Sequence, residues 1–224
     1  AKNLQVLVTY DVNLLKDLID TGTKLQDENR QRTVHSILTE FNYGISKPFT
    51  ITALFSYIIQ QRKVLQTNGE TDKLLAFGMG DMVFLLKYNL LGYRPDLRWS
   101  AAVGAGPKIP VGRSDLSDES DILLPADLQP GSGAWDGMFW FYAARQFTIT
   151  NPFRLESMAT YRITGTNHNF YANSSQDLGY KFGNEFQYII GAAYTITSKW
   201  MMGDALLQVR YRSTTADMVG SSII

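Results

Sequence analysis

Residues 33–60 run TVHSILTEFNYGISKPFTITALFSYIIQ, and apolar and polar side chains alternate along them. Ile37, Phe41, Tyr43 and Ile45 fall on odd positions, Ser36, Glu40, Asn42 and Ser46 on even ones. Past Lys47-Pro48 the pattern resumes. Phe49, Ile51, Ala53, Phe55, Tyr57 and Ile59 are odd, and Thr50, Thr52, Ser56 and Gln60 are even. A period of two held this long specifies a strand with one apolar and one polar face. Pro48 stands where the second strand begins, so it removes no ladder bond.

The same period recurs on both sides of this stretch. Trp99, Ala101, Val103 and Ala105 oppose Arg98, Ser100 and Lys108. Phe153, Leu155, Ala159, Tyr161 and Ile163 oppose Arg154, Glu156, Thr160 and Arg162. Phe182, Phe186, Tyr188, Ile190 and Tyr194 are set against Lys181, Glu185 and Gln187, and Leu207, Val209 and Tyr211 against Asp204, Gln208, Arg210 and Arg212. Strands near Leu4–Asn13, Leu74–Leu90 and Trp135–Phe147 bring the total to about nine. Most exceed the ~5–6 residues of a globular strand and match the ~9–11 needed to cross a bilayer obliquely.

Connection lengths alternate as well. Short ones lie at Ser46–Pro48, Leu91–Asp96, Thr150-Asn151 and Thr197–Lys199; long ones run through Leu14–Arg32, Arg62–Lys73, Pro110–Ala134 and Thr166–Leu178. Transmembrane β-barrels sort their loops this way, tight turns on one side and long loops on the other. Tyr43, Phe49, Tyr88, Trp99, Phe153 and Tyr194 lie beside the short turns on the apolar parity, and Tyr10, Tyr57, Tyr161, Phe182 and Tyr211 lie toward the long loops. Two such rings form an aromatic girdle. Phe147 and Trp200 break the parity. A soluble sandwich or lipocalin-like barrel would invert it, with the polar face outside.

Composition agrees. The 224 residues carry 21 Lys/Arg and 21 Asp/Glu, a balance that argues against nucleic-acid binding. Mean hydropathy is −0.14, as expected of a wall that averages an apolar and a polar face. No run approaches the ~18 apolar residues of a membrane helix. With no cysteine, disulfides and thiolate metal sites are excluded. The opening AKNLQVLVTY lacks the basic-then-apolar order of a signal peptide, so one is either absent or already removed.

Three segments in series resemble a known family: GMGDMVFLLKYNLL (Gly78–Leu91), GAGPKIPVGRSD (Gly104–Asp115) and LLPADLQPGSGAWD (Leu123–Asp136). Together with YKFGNEFQYIIGAAY (Tyr180–Tyr194) they are similar to outer-membrane transporters of the MetA-pathway-of-phenol-degradation type, particularly the forms of Bacteroidota. The resemblance implies an all-β, up-and-down antiparallel barrel in the bacterial outer membrane that passes small molecules. The glycines and prolines also have a structural reading, as close approaches and strand ends. Residues 1–224 are expected to form one barrel domain. Nine strands cannot close an antiparallel barrel, so its last strand or strands are missing and a wall of about 10–12 is expected.

The polar parity supplies the candidate site. Glu40, Asp81, Glu156, Glu185 and Asp204, with Lys87, Arg98, Lys108, Arg145, Arg154, Arg162, Lys181, Arg210 and Arg212, are expected to line the lumen. Charges at bilayer depth must face a wet or mutually paired interior. One reading is a mildly basic, anion-preferring pore; the other is a salt-bridged plug in a narrow barrel. The acidic run SDLSDESD (Ser114–Asp121) offers oxygens for calcium but no EF-hand spacing, and reads as a solvated loop. Catalysis would need His35 or His168, the latter near Ser174 and Ser175, and the spacing orients no base on a nucleophile. Gly78-Met79-Gly80 opens no helix and so is no phosphate loop.

The reading is therefore a non-enzymatic outer-membrane channel or transporter for passive passage of small solutes, without cofactor or metal. Its alternative is a closed accessory barrel in a larger outer-membrane assembly. The implied partners are the lipid bilayer, an unspecified small solute and, in the alternative, other outer-membrane proteins, but not nucleic acid.

Overall fold

The computed structural model of the chain describes residues 2–15, 18–20, 23–25, 31–65, 71–91, 98–118, 120–147, 153–170, 178–197 and 202–223. In chain order the strands are β1 (Leu4–Leu15), β2 (Leu18–Asp20), β3 (Thr23–Leu25), β4 (Arg32–Gly44), β5 (Phe49–Leu65), β6 (Thr71–Met79), β7 (Met82–Asn89) and β8 (Trp99–Ile109). After a 3₁₀ turn at Ala126–Leu128 follow β9 (Asp136–Gln146), β10 (Phe153–Ile163), β11 (Tyr180–Lys181), β12 (Glu185–Thr197), β13 (Met202–Thr214), β14 (Met218–Val219) and β15 (Ser222–Ile223).

Ten strands make one antiparallel sheet in the order β1-β4-β5-β7-β8-β9-β10-β12-β13, with β6 also paired to β5 so that β6 and β7 form one stave of nine, curled into half of a barrel. The hairpin β2–β3 and the small sheet β11-β14-β15 stand apart from it. Residues directly opposite across an antiparallel pair share a face. Leu4 opposes Tyr43, Tyr43 opposes Ile51, Phe49 opposes Tyr88, Tyr88 opposes Val103, and Phe153 opposes Tyr194. These residues and their neighbours make one continuous apolar outer face. Ile37, Ile51, Leu86, Phe141, Ile190 and Val209 all stand exposed on it. That is how a wall solvated by lipid looks.

The fourth stave changes phase. Tyr57 of β5 pairs with Met79 of β6, yet Leu54 pairs with Val83 of β7. Phe55 and Ser56 therefore face three residues, Gly80, Asp81 and Met82, which is a β-bulge. One extra residue exchanges the faces of a strand. Phe77 and Met79 point outward on β6, whereas Leu86 and Tyr88 point outward on β7. Asp81, Leu85 and Lys87 are thereby turned inward.

Four of the buried apolar residues, Leu124, Ala126, Leu128 and Ala134, belong to a chain segment laid against the inner face. Between β8 and β9 the chain leaves the wall at Pro110, and Leu124 and Leu128 pack on Ala76 with Leu74 and Leu116 around them. Leu128 is fully buried. A second cluster joins Ala126 to Phe170 and Tyr180, flanked by Phe182 and Val219. This corrects the expected placement of Phe182 and Lys181. Tyr180-Lys181 is the separate strand β11, paired with Met218-Val219, and Phe182 packs edge-on against Tyr180 with centroids 4.9 Å apart. The cause is local: Asp217 accepts the Gly183 amide at 2.7 Å and the Tyr180 hydroxyl, which draws this segment off the β12 ladder.

Candidate functional site

The inner face carries a chain of ion pairs, and the motif segments meet at its centre. Asp81, presented by the bulge, accepts from Lys108 Nζ at 2.5 Å. It also accepts the Ser132 amide at 2.9 Å and the Gly112 amide at 3.2 Å. Lys108 reaches Asp136 as well, at 3.0 Å, and contacts the Ser132 hydroxyl. All three charges are buried, the Asp136 side chain being 2% exposed. Three backbones stack here. A Cβ on Gly131 would lie 2.6 Å from the Gly112 carbonyl carbon, and one on Gly112 would lie 2.7 Å from that of Gly80. Glycine is required because the backbones touch, not because of their dihedrals.

From Asp136 the chain of charges continues around the wall. Arg162 stands 3.9 Å from Asp136 and 2.9 Å from Glu185, which also pairs with Arg212 at 2.9 Å. Toward the short turns, Lys87 lies 3.4 Å from Glu40, 3.5 Å from Asn42 Oδ1 and 4.6 Å from the centre of the Trp140 ring. Arg154 pairs with Glu156 at 3.3 Å, and Glu156 accepts from Gln208 at 3.1 Å.

Toward the long loops, the inward segment is clasped to the wall. Asp127 on the 3₁₀ turn lies 3.2 Å from Arg32 and 3.6 Å from Arg62. Arg32 also bonds Gln60, which donates to the carbonyls of Leu128 and Gln129 at 3.4 Å. The Gln129 side chain ties the segment to itself, accepting from the Leu116 amide at 2.9 Å and donating to the Leu124 carbonyl at 3.0 Å. Asn167 Nδ2 donates to the Ser132 carbonyl at 3.1 Å and so links the next long loop to the same centre.

Of the candidate residues, Glu40, Asp81, Lys87, Lys108, Arg154, Glu156, Arg162, Glu185 and Arg212 are gathered into these contacts. Arg210 lies on the same face opposite Ile189, with no ion pair among the described residues. Arg98, beside the first residue of β8, donates to the Phe147 carbonyl at 2.5 Å. Asp204 pairs in register with Thr195, and its side chain lies outside the described residues. Arg145 is on the opposite face from the expected one. It is directly across from Trp99 and lies over that ring at 5.1 Å and the Phe147 ring at 4.9 Å. The parity of β9 explains this: Phe139, Phe141 and Arg145 share the outer face, while Asp136, Met138, Trp140 and Ala144 share the inner one.

His35 faces outward and shares a hydrogen bond with the Tyr10 hydroxyl at 2.8 Å. His168 is exposed, and Ser174 and Ser175 lie outside the described residues. In the acidic loop, Asp118 spends one oxygen on its own turn, accepting the amides of Ser120 at 2.8 Å and Ile122 at 2.9 Å. No group of three acidic or histidine side chains among the described residues is arranged for a metal. Sequence reasoning missed Asp136, Ser132, Asp127, Arg32 and Arg62 as partners. The signal was there for three of them: Asp127, Ser132 and Asp136 sit inside the LLPADLQPGSGAWD segment already singled out.

No curated protein matches the chain. Among solved structures, an outer membrane channel from Pseudomonas putida F1 superposes with a TM-score of 0.70 at 11% identity, over 98% of this chain and 75% of that one. The shared fold is that of an outer-membrane β-barrel wall. The model of the family described as "Putative MetA-pathway of phenol degradation" matches residues 63–221, well over half of the chain, so the chain belongs to that family.

Proposed function

We propose that the chain forms the wall and the constriction of an outer-membrane channel that passes small solutes passively. The observation that carries this is the pairing of an apolar, lipid-suited outer face with an inner face of linked charges, narrowed by the segment between β8 and β9. A wall of this kind has use for charges inside only if the inside is wet or mutually paired. Cations outnumber anions on the described inner face, and Arg210 and Arg98 stand outside the ion pairs, which supports a mild anion preference. The likeness to an outer membrane channel supports the same reading. The outer edges of β1 and β13 have no strand beside them in the described sheet. In hydrocarbon both need partners, so the reading includes further strands that close the wall at about 10–12.

One observation favours a second reading. Leu128 is fully buried against the inner face, so the segment fills space as well as narrowing it. A barrel filled this far would serve as a closed accessory subunit. Single-channel recording of the full-length protein in planar bilayers under a salt gradient separates the two. Discrete conductance with an anion-favouring reversal potential supports the channel. Silence from demonstrably folded barrel overturns it in favour of the closed form.

A further inference from the structure

Arg145 stands on the face that is otherwise given to lipid. It is flanked by Trp99 on β8 and Leu155 on β10, with Phe141 further along its own strand. No carboxylate pairs with it among the described residues. Two rings hold it instead, Trp99 at 5.1 Å and Phe147 at 4.9 Å, and the Phe147 ring in turn meets that of Phe153 at 5.7 Å. Trp99 and Arg145 are both exposed. The position is at the short-turn end of the wall, since β8 starts at Trp99 and β9 ends one residue beyond Arg145.

A cation on a lipid-facing surface is strongly disfavoured at the bilayer midplane and tolerated at the interface. An arginine placed here and braced by aromatic planes is therefore at headgroup depth, and its guanidinium has no ion-pair partner among the described residues. The donor fork of a guanidinium matches the oxygens of a phosphate. Apolar side chains beside and above it, Leu155 and Ala143, offer a bed for an acyl chain. We propose that Arg145, Trp99 and Phe147 form a binding site for the phosphodiester headgroup of a phospholipid in the leaflet on the short-turn side. The site depends on the wall being embedded in a bilayer and not on whether the lumen conducts.

The test is native mass spectrometry of the full-length protein, delipidated in detergent and titrated with phosphatidylglycerol, phosphatidylethanolamine or diacylglycerol of the same chains. Both phospholipids are expected to bind the unsubstituted protein more tightly than diacylglycerol does. Arg145→Gln is expected to weaken the two phospholipids about fivefold, with diacylglycerol unchanged, and Arg145→Lys to fall between. Heat-modifiable gel mobility checks that each variant is folded. If the unsubstituted protein fails to prefer phospholipid over diacylglycerol, or if folded Arg145→Gln keeps that preference, the proposal is overturned. Displacement of bound phospholipid by millimolar inorganic phosphate would overturn the lipid assignment in favour of a soluble-anion site.

Discussion

Lys108 lies between two carboxylates that have almost no access to solvent, Asp81 held by the amides of Gly112 and Ser132 and Asp136 by that of Gly165. Removing the cation would leave Asp81 and Asp136 facing each other across a dry gap. Breaking a buried ionic group from one side costs about 3–5 kcal/mol. Lys108→Met should therefore lower the urea midpoint of the folded protein by that equivalent. The triple change that also converts Asp81 and Asp136 to Asn should recover much of it. An unchanged midpoint for the single variant would mean that the cluster is hydrated rather than buried. Parity set Asp81 and Lys108 among the inward charges as an expectation, although Asp81 owes its turn to the bulge. Parity could not supply their partners, because Ser132 and Asp136 are 51 and 28 residues away from them respectively. Arg145 shows the converse limit: in a strand as aromatic as β9, both faces read apolar, and a charge could be assigned to either.

At the scale of elements, two features govern the inner face. The first is the bulge that joins β6 to β7. Deleting Gly80 would remove the extra residue, so β5 would meet β6 and β7 in one unbroken register with Leu86 and Tyr88 still outward. What changes is the presentation of Asp81, so the deletion is expected to keep the heat-modifiable band but lower the urea midpoint, and an unchanged midpoint would show that the bulge does not set the contacts of Asp81. The sequence showed one apolar stretch from Leu74 to Leu90 and no sign of where its phase slips, since an insertion of one residue leaves composition untouched. The second feature is the segment between β8 and β9. Asp127→Ala opens its clasp on Arg32 and Arg62. Asp127 is 46% exposed, so the stability lost should stay below about 1 kcal/mol. Conductance, by contrast, should rise and become noisier in single-channel records, and an unaltered trace would show that the tip of the segment does not limit flow. That this segment folds inward was not legible beforehand. Its hold on the wall comes from Gln60, Arg32 and Arg62, contacts made across 65 to 95 residues of chain, and periodicity reports only on local neighbours.

For the whole molecule, the alternation of faces and of connection lengths carried the architecture, and the nine staves follow the order expected of an up-and-down wall. The electrical behaviour is a property at this scale too, because it sums charges from every stave. Arg210→Glu reverses an inner-face charge without breaking an ion pair seen among the described residues. It should shift the reversal potential toward cations, and the shift should shrink as ionic strength rises and the Debye length falls below about 10 Å. An unchanged potential would place Arg210 away from the permeation path. The clamped inward segment has one more consequence, for the order of assembly. It lies between β8 and β9 in the chain yet inside them in space, and its contacts reach back to β4 and forward to the loop after β10. A polypeptide cannot be threaded into a cylinder once the cylinder is sealed. The insertion machinery must therefore receive this wall with its contents already tucked in, and a protease added during biogenesis should find residues 110–134 shielded before the last staves are joined.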